Sequence, residues 1–267
     1  MLWIEQNTQL STSDKPVLSD LLRPLIVILL MTMGSFTFAN SKTPLHHALK
    51  YPSGSGPFPT IILLHHAGGY LNTLDQIEHY LGLGYAVAMP DYFSPFGLTS
   101  QNRFEAFKGK RVDIEKKLTE YVTYLKTQEK IDAENLFAVG LSAGGFFTAF
   151  LACERQVKAG VTHYGVWRVP GIKNSFSNFG SKKYPAQYFD NECSPVLALH
   201  GRKDDTQKIA DAILAFNYVS KKTKNDFRVH IYDEGGHAWH KGDFSDPNSI
   251  ASDALRRTHE FIQEFMK

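Results

Sequence analysis

Two periodicities alternate along the chain from about residue 45 onward. Unbroken apolar runs, Thr60-Ile61-Ile62-Leu63-Leu64-His65, Tyr85-Ala86-Val87-Ala88-Met89-Pro90, Leu136-Phe137-Ala138-Val139, Ala159-Gly160-Val161-Thr162-His163-Tyr164 and Pro195-Val196-Leu197-Ala198-Leu199-His200, read as strands covered on both faces. Between them apolar positions recur three and four apart. Leu71, Leu74, Ile77 and Leu81 predict one helix, closed by Gly82 and Gly84. Ile114, Leu118, Tyr121, Val122 and Leu125 predict a second, with Glu115, Lys116, Lys117 and Glu120 on its solvated face. Phe146-Phe147-Thr148-Ala149-Phe150-Leu151-Ala152 reads as a buried helix. Residues 206–220 predict another, and residues 250–266 a closing helix with Leu255, Ile262 and Phe265 inward. Residues 45–51 form a candidate early strand, and Phe227–Tyr232 alternates as a last one. Strands separated by helices predict an α/β fold with a largely parallel sheet.

Two stretches stand outside this rhythm. Residues 1–20 are polar and aperiodic; Arg23 then precedes Leu25-Ile26-Val27-Ile28-Leu29-Leu30-Met31, and small or apolar residues continue to Ala39. That layout predicts a leader over residues 1–39, cleaved after Ala39, with an apolar run short of the ~20 residues of a membrane span. The expectation is an exported chain, periplasmic or secreted, with residues 40–267 as a single domain; a later start would leave it cytoplasmic. Residues 165–192 are weakly periodic and aromatic, with Trp167, Phe176, Phe179, Tyr184, Tyr188 and Phe189. So long an irregular stretch predicts a cap or pocket wall, or a peripheral excursion.

Composition narrows the function classes. The 267 residues are 43% hydrophobic and carry a net charge of +2, enough for one large core and too balanced for a nucleic-acid surface. Two cysteines, Cys153 and Cys193, make neither a disulfide framework nor a zinc site. Pairing is open to them in an exported chain, but free buried thiols are the expectation.

The candidate chemistry lies at strand ends. Gly140-Leu141-Ser142-Ala143-Gly144 joins an apolar strand to an apolar helix, the context of a nucleophile elbow. Ser142 is expected in a strained conformation, with Gly140 and Gly144 present because side chains there would collide across the bend. The Ala143 N–H at the helix start is a candidate oxyanion donor. The strand at residues 60–65 runs into His66-Ala67-Gly68-Gly69, where the second donor is expected from Ala67, with Gly68 the lesser choice. The tandem His65 and His66 lack carboxylate or cysteine neighbours at ligand spacing, so a structural role is expected rather than metal binding. Asp204 follows the strand ending at His200 and is the candidate acid; Asp205 is the alternative, or the cap of the next helix. His237 follows the Gly235-Gly236 pair past the last strand and completes the chain order Ser, Asp, His. His240 and His259 lack that context and are expected at the surface or on a helix.

Residues 61–69, 84–96, 111–125, 140–145, 195–204 and 235–239 together resemble the dienelactone hydrolase family of the α/β-hydrolases. Gly84-Tyr85-Ala86-Val87-Ala88-Met89-Pro90-Asp91-Tyr92-Phe93 and Gly236-His237-Ala238-Trp239 carry the likeness most strongly. The resemblance implies the α/β-hydrolase fold with an eight-stranded, mostly parallel sheet flanked by helices. It implies Ser142 as nucleophile, Asp204 as acid and His237 as base. Family members can use cysteine as nucleophile; serine here points to a broader esterase. The expected reaction is hydrolysis of a small ester or lactone through an acyl-enzyme, without metal or organic cofactor. A peptidase or other acyl hydrolase on the same triad is the second reading. A non-catalytic binding protein of this fold is the third, disfavoured because all three residues are present.

Overall fold

A computed structural model describes residues 43–169, 184–224 and 226–267. The expected leader, and Phe176 and Phe179 of the aromatic stretch, lie outside the described residues. Residues 43–267 group as one compact unit.

The sheet has seven strands among the described residues, one fewer than the resemblance implies: β1 (His47–Lys50), β2 (Phe58–Leu64), β3 (Ala86–Pro90), β4 (Ile131–Leu141), β5 (Ala159–His163), β6 (Val196–Gly201) and β7 (Phe227–Tyr232). Their order is β1-β3-β2-β4-β5-β6-β7, with β1 antiparallel to β3 and every other pair parallel. β3 lies on one side of β2 and β4 on the other, so the chain reverses its direction of travel there. The loops leaving β2 and β4 diverge and leave a crevice at the carboxyl edge, where ligands of open α/β sheets bind.

Alternation along β2 divides the core. Ile62 and Leu64 join the cluster on one face with Phe146 and Tyr121; Ile61 and Leu63 join the other with Tyr164 and Trp239. Among the described residues five α-helices cover the sheet: α1 (Ile77–Leu81), α2 (Arg111–Leu125), α3 (Ala143–Cys153), α4 (Ile209–Lys222) and α5 (Ile250–Glu264). α2 buries all five of its predicted apolar positions. α3 is buried at every residue, which explains its lack of any polar face. None of the helices among the described residues is long and apolar enough to cross a membrane.

Four expectations about packing are corrected. The helix at residues 71–81 is a 3-10 helix over Tyr70–Gln76 followed by the short α1. At three residues per turn the apolar spacing no longer makes one face: Leu71 is 75% exposed, while Thr73 and Gln76 turn inward. α4 starts at Ile209 rather than residue 206, because the Asp204 carboxylate takes the Thr206 and Gln207 N–H groups into a turn. In α5, Ala251, Ala254, Thr258, Phe261 and Ile262 face the sheet; Leu255 and Phe265 are only partly covered at the edge of that stripe. The cysteines are paired: Cys153 ends α3, Cys193 precedes β6, and a disulfide joins them with Cα atoms 4.0 Å apart. The Ser194 N–H donates to Ala152 O at 2.9 Å, so backbone pairing brings the two residues together.

Candidate active site

Ser142 sits between the end of β4 and the start of α3 with φ 51° and ψ −106°, a region that costs a non-glycine residue on the order of 1–3 kcal/mol. The surroundings enforce it. A Cβ on Gly140 would overlap Thr148 Oγ1 and the Gly144 carbonyl, and one on Gly144 would overlap the Leu64 carbonyl oxygen. Ser142 N–H donates to His163 O at 2.9 Å, and Val166 N–H donates to Ser142 O at 3.0 Å, tying the elbow to the exit of β5.

The structure brings the three predicted residues together. His237 Nε2 lies 3.0 Å from Ser142 Oγ, and its Nδ1 lies 2.8 Å from Asp204 Oδ2. With Nδ1–H directed at the carboxylate, Nε2 presents a lone pair to the serine hydroxyl. Asp204 Oδ1 accepts from Thr206 N at 2.9 Å and Gln207 N at 2.7 Å, so one carboxylate both closes its turn and orients the imidazole. Burial raises the Asp204 pKa, but the hydrogen bonds from His237 and the Gln207 N–H outweigh it and hold the group below the ordinary aspartate value. Asp205 is exposed and takes no part in this chain of bonds. The loops bearing Asp204 and His237 are zipped by backbone: Arg202 N to Tyr232 O at 2.9 Å and Lys203 N to Gly235 O at 2.8 Å. No side chain fits between them, because a Cβ on Gly201 would overlap the Gly235 carbonyl.

A cleft of about 330 Å³ opens over Ser142 and is lined also by Ala67, Ala143, Phe104, Phe107 and Arg103. Ala143 opens α3, where a helix leaves its first N–H groups without intrahelical acceptors. On the β2 side, Gly68 N–H donates to His66 Nδ1 at 2.9 Å and Gly69 N–H to His66 O at 2.9 Å. Among the described residues the Ala67 N–H has no acceptor, which favours Ala67 over Gly68 as a donor to a ligand.

The remaining histidines separate by environment. His65 is fully buried, stacked on Tyr92 at 4.0 Å, and gives its Nδ1–H to His66 O at 2.9 Å. Burial lowers its pKa to about 4. Among the described residues there is no cluster of three or more metal-ligating side chains. His259 is half-buried, with Nδ1 2.9 Å from Tyr85 OH. His240, expected outside the core, is buried beside the cleft with Nδ1 2.5 Å from Tyr164 OH. The 3-10 turn Trp239–Lys241 after the left-handed Ala238 swings it inward, a reversal that no periodicity announces.

Sequence reasoning also passed over Tyr164 and Arg103. Tyr164 lies immediately past β5 with φ 40°, and its ring meets that of His237 edge-on at 4.8 Å. The sequence places it as the last residue of an apolar run, and that position at a strand end is the available signal. Arg103 reaches the cleft from the long β3–α2 connection, and nothing in its local sequence marks it.

The fold has many relatives of known structure. A Klebsiella pneumoniae chain provisionally named dienelactone hydrolase superposes with a TM-score of 0.68 at 19% identity, over 82% of this chain and 92% of that one. Thermogutta terrifontis esterase 2 superposes with a TM-score of 0.63 at 16% identity, over 85% of this chain and 89% of that one. A Yersinia pestis protein provisionally named carboxymethylenebutenolidase is 26% identical over 193 residues, 69% of this chain and 70% of the relative. The sequence profile of the dienelactone hydrolase family matches residues 46–266, and the chain therefore belongs to that family.

Proposed function

We propose that this hydrolase cleaves small carboxylic esters or lactones through a Ser142 acyl-enzyme. The observation that carries the reading is the continuous chain of hydrogen bonds from Ser142 Oγ through His237 to Asp204 at the floor of a cleft. Ser142 Oγ attacks the substrate carbonyl as His237 Nε2 takes its proton. Asp204 keeps the imidazole in the Nδ1–H tautomer and stabilises the imidazolium. The N–H groups of Ala143 and Ala67 receive the oxyanion, where each donor is worth ~10²–10³ in rate. The tetrahedral species collapses, the alcohol leaves with the proton from His237, and water repeats the attack with His237 again as base. The products are a carboxylic acid and an alcohol, or one hydroxy acid from a lactone.

A cleft of about 330 Å³ suits a small substrate. The test is turnover of a panel of p-nitrophenyl esters and lactones by the wild type and by Ser142→Ala. The expected result is a fall of ~10⁴-fold or more in kcat for the variant with its fold intact. Turnover by the variant at the wild-type rate would refute the assignment. Thermogutta esterase 2 has been solved phosphonylated by sarin and with butyrate bound. A fluorophosphonate probe applied to this chain reports independently: a peptide carrying the probe on Ser142 supports a nucleophile, and an unlabelled serine supports a binding protein.

A further inference from the structure

The β2 loop contains two consecutive glycines, and such a backbone is free enough to lose any one orientation of its N–H groups. Oxyanion stabilisation requires the opposite, donors held in place before charge develops. The side chain of His66 supplies the constraint. Its Nδ1 accepts from Gly68 N at 2.9 Å, and its Nε2 lies 3.1 Å from Asn72 O. Asn72 Nδ2 donates back to Gly68 O at 2.6 Å, so both polar groups of the Gly68 backbone are engaged. Only the neutral imidazole with its proton on Nε2 satisfies both of its partners. Burial holds the ring below the usual histidine value, with Lys241 and His237 pushing the same way and the Asn72 carbonyl and Asp75 opposing. The ring also stands 4.9 Å from that of His240, which is itself neutral by burial.

Gly68 is shaped to this contact. A Cβ there would overlap His66 Cε1 and come within 2.8 Å of Nδ1. The φ of Gly68 is not in the left-handed region, so the imidazole, and not the backbone, is what requires glycine at this position.

We infer that His66 is the positioning residue of the oxyanion loop, clamping residues 66–72 through its two ring nitrogens so that the Ala67 N–H remains free for the substrate oxyanion. This rests on the serine-hydrolase reading above. His66 lines the cleft, but in this role it acts through the backbone that its ring holds.

The test uses His66→Leu, His66→Asn and Gly68→Ala in the full chain, beside the wild type and Ser142→Ala. His66→Leu is expected to lower kcat by ~10–10²-fold, part of the value of one donor, with KM changed less than about threefold. His66→Asn places an amide oxygen where Nδ1 was and is expected to recover most of that loss. Gly68→Ala is expected to cost a similar factor in the wild type and almost nothing in the His66→Leu background, because the clash is with the imidazole. Equal losses in the Leu and Asn variants, or additive losses in the double variant, would overturn the inference. Hydrogen exchange of the Gly68 amide gives a readout without turnover. It should accelerate in His66→Leu and stay slow in His66→Asn, and unchanged exchange in His66→Leu would overturn the clamp even if the ester panel had failed.

Discussion

The loop after β2 and the elbow after β4 lie side by side over the cleft and are held by opposite means. The elbow is fixed by what its residues lack: Gly140 and Gly144 leave room for Thr148 and the Leu64 carbonyl, and any added carbon collides with backbone. The β2 loop is fixed by something added, an imidazole reaching two residues forward and six residues forward along its own chain. The Asp204 and His237 loops follow the first pattern, with backbone bonds between them and no room for a Cβ at Gly201. The difference teaches where tolerance lies. A steric fit to backbone fails when atoms are added, whereas a side-chain clamp fails when atoms are removed.

That contrast can be pressed at several points. Asp204→Asn keeps the shape of its turn but exchanges a carboxylate for an amide facing His237 Nδ1. It is expected to lower kcat by ~10²–10⁴-fold with the fold retained, measured on the best ester of the panel. Gly144→Ala is expected to cost ~3 kcal/mol or more in urea unfolding, against a near-neutral Gly68→Ala, because the Leu64 carbonyl cannot move without breaking β2 from its neighbours. Comparable stability losses at the two glycines would erase the distinction between a backbone fit and a side-chain clamp.

Acid should separate the two sides by smaller steps. His65, under the β2 loop, has its pKa lowered from 6.5 to about 4 by burial, and His163 of β5 has its pKa lowered to about 3, again by burial. The unfolded chain therefore binds these protons first, and stability that is full above pH 6.5 declines as pH falls toward those values. Asp204 and Asp91 sit below 3.8, so their contribution is complete above that pH and is lost only below it. The melting temperature is expected to be flat above pH 7, to fall gradually below 6.5 and to fall more steeply below about 4. A melting temperature unchanged between pH 7 and 4.5 would show that His65 and His163 are not held neutral by the fold.

The sequence made some of this legible and hid the rest for identifiable reasons. Ser142, Asp204 and His237 could be picked out because each follows the carboxyl end of an apolar strand, and parallel pairing sets those ends side by side. The register pairs Leu141 with His163 and Gly201 with Tyr232, so the chain distances of 62 and 33 residues between the three side chains vanish at one edge. The α2 face was legible because five apolar positions at helical spacing admit one packing. The stretch 71–81 is misleading because its spacing fits an α-helix while the chain takes a tighter 3-10 path first. His240 was misread because its burial follows from one left-handed residue, Ala238, and a phenol contributed by β5's exit. Arg103 was invisible because it approaches the cleft through a connection with no periodicity. Pattern reports elements; it does not report where an irregular connection folds back.

The Cys153–Cys193 bond has a consequence in chain statistics. It closes a covalent ring across a sequence separation of 40 residues, and that ring contains β5, Tyr164 and the aromatic stretch that follows. For a ring of this size the loop-closure estimate removes about 4 kcal/mol of configurational freedom from the unfolded chain. The tether is anchored at the far end of the helix that begins beside Ser142. An unfolded molecule thus keeps its weakly periodic, aromatic sequence within a short radius of the helix that begins beside Ser142, and the search that rebuilds the β5 side of the cleft starts from a confined volume rather than an open chain.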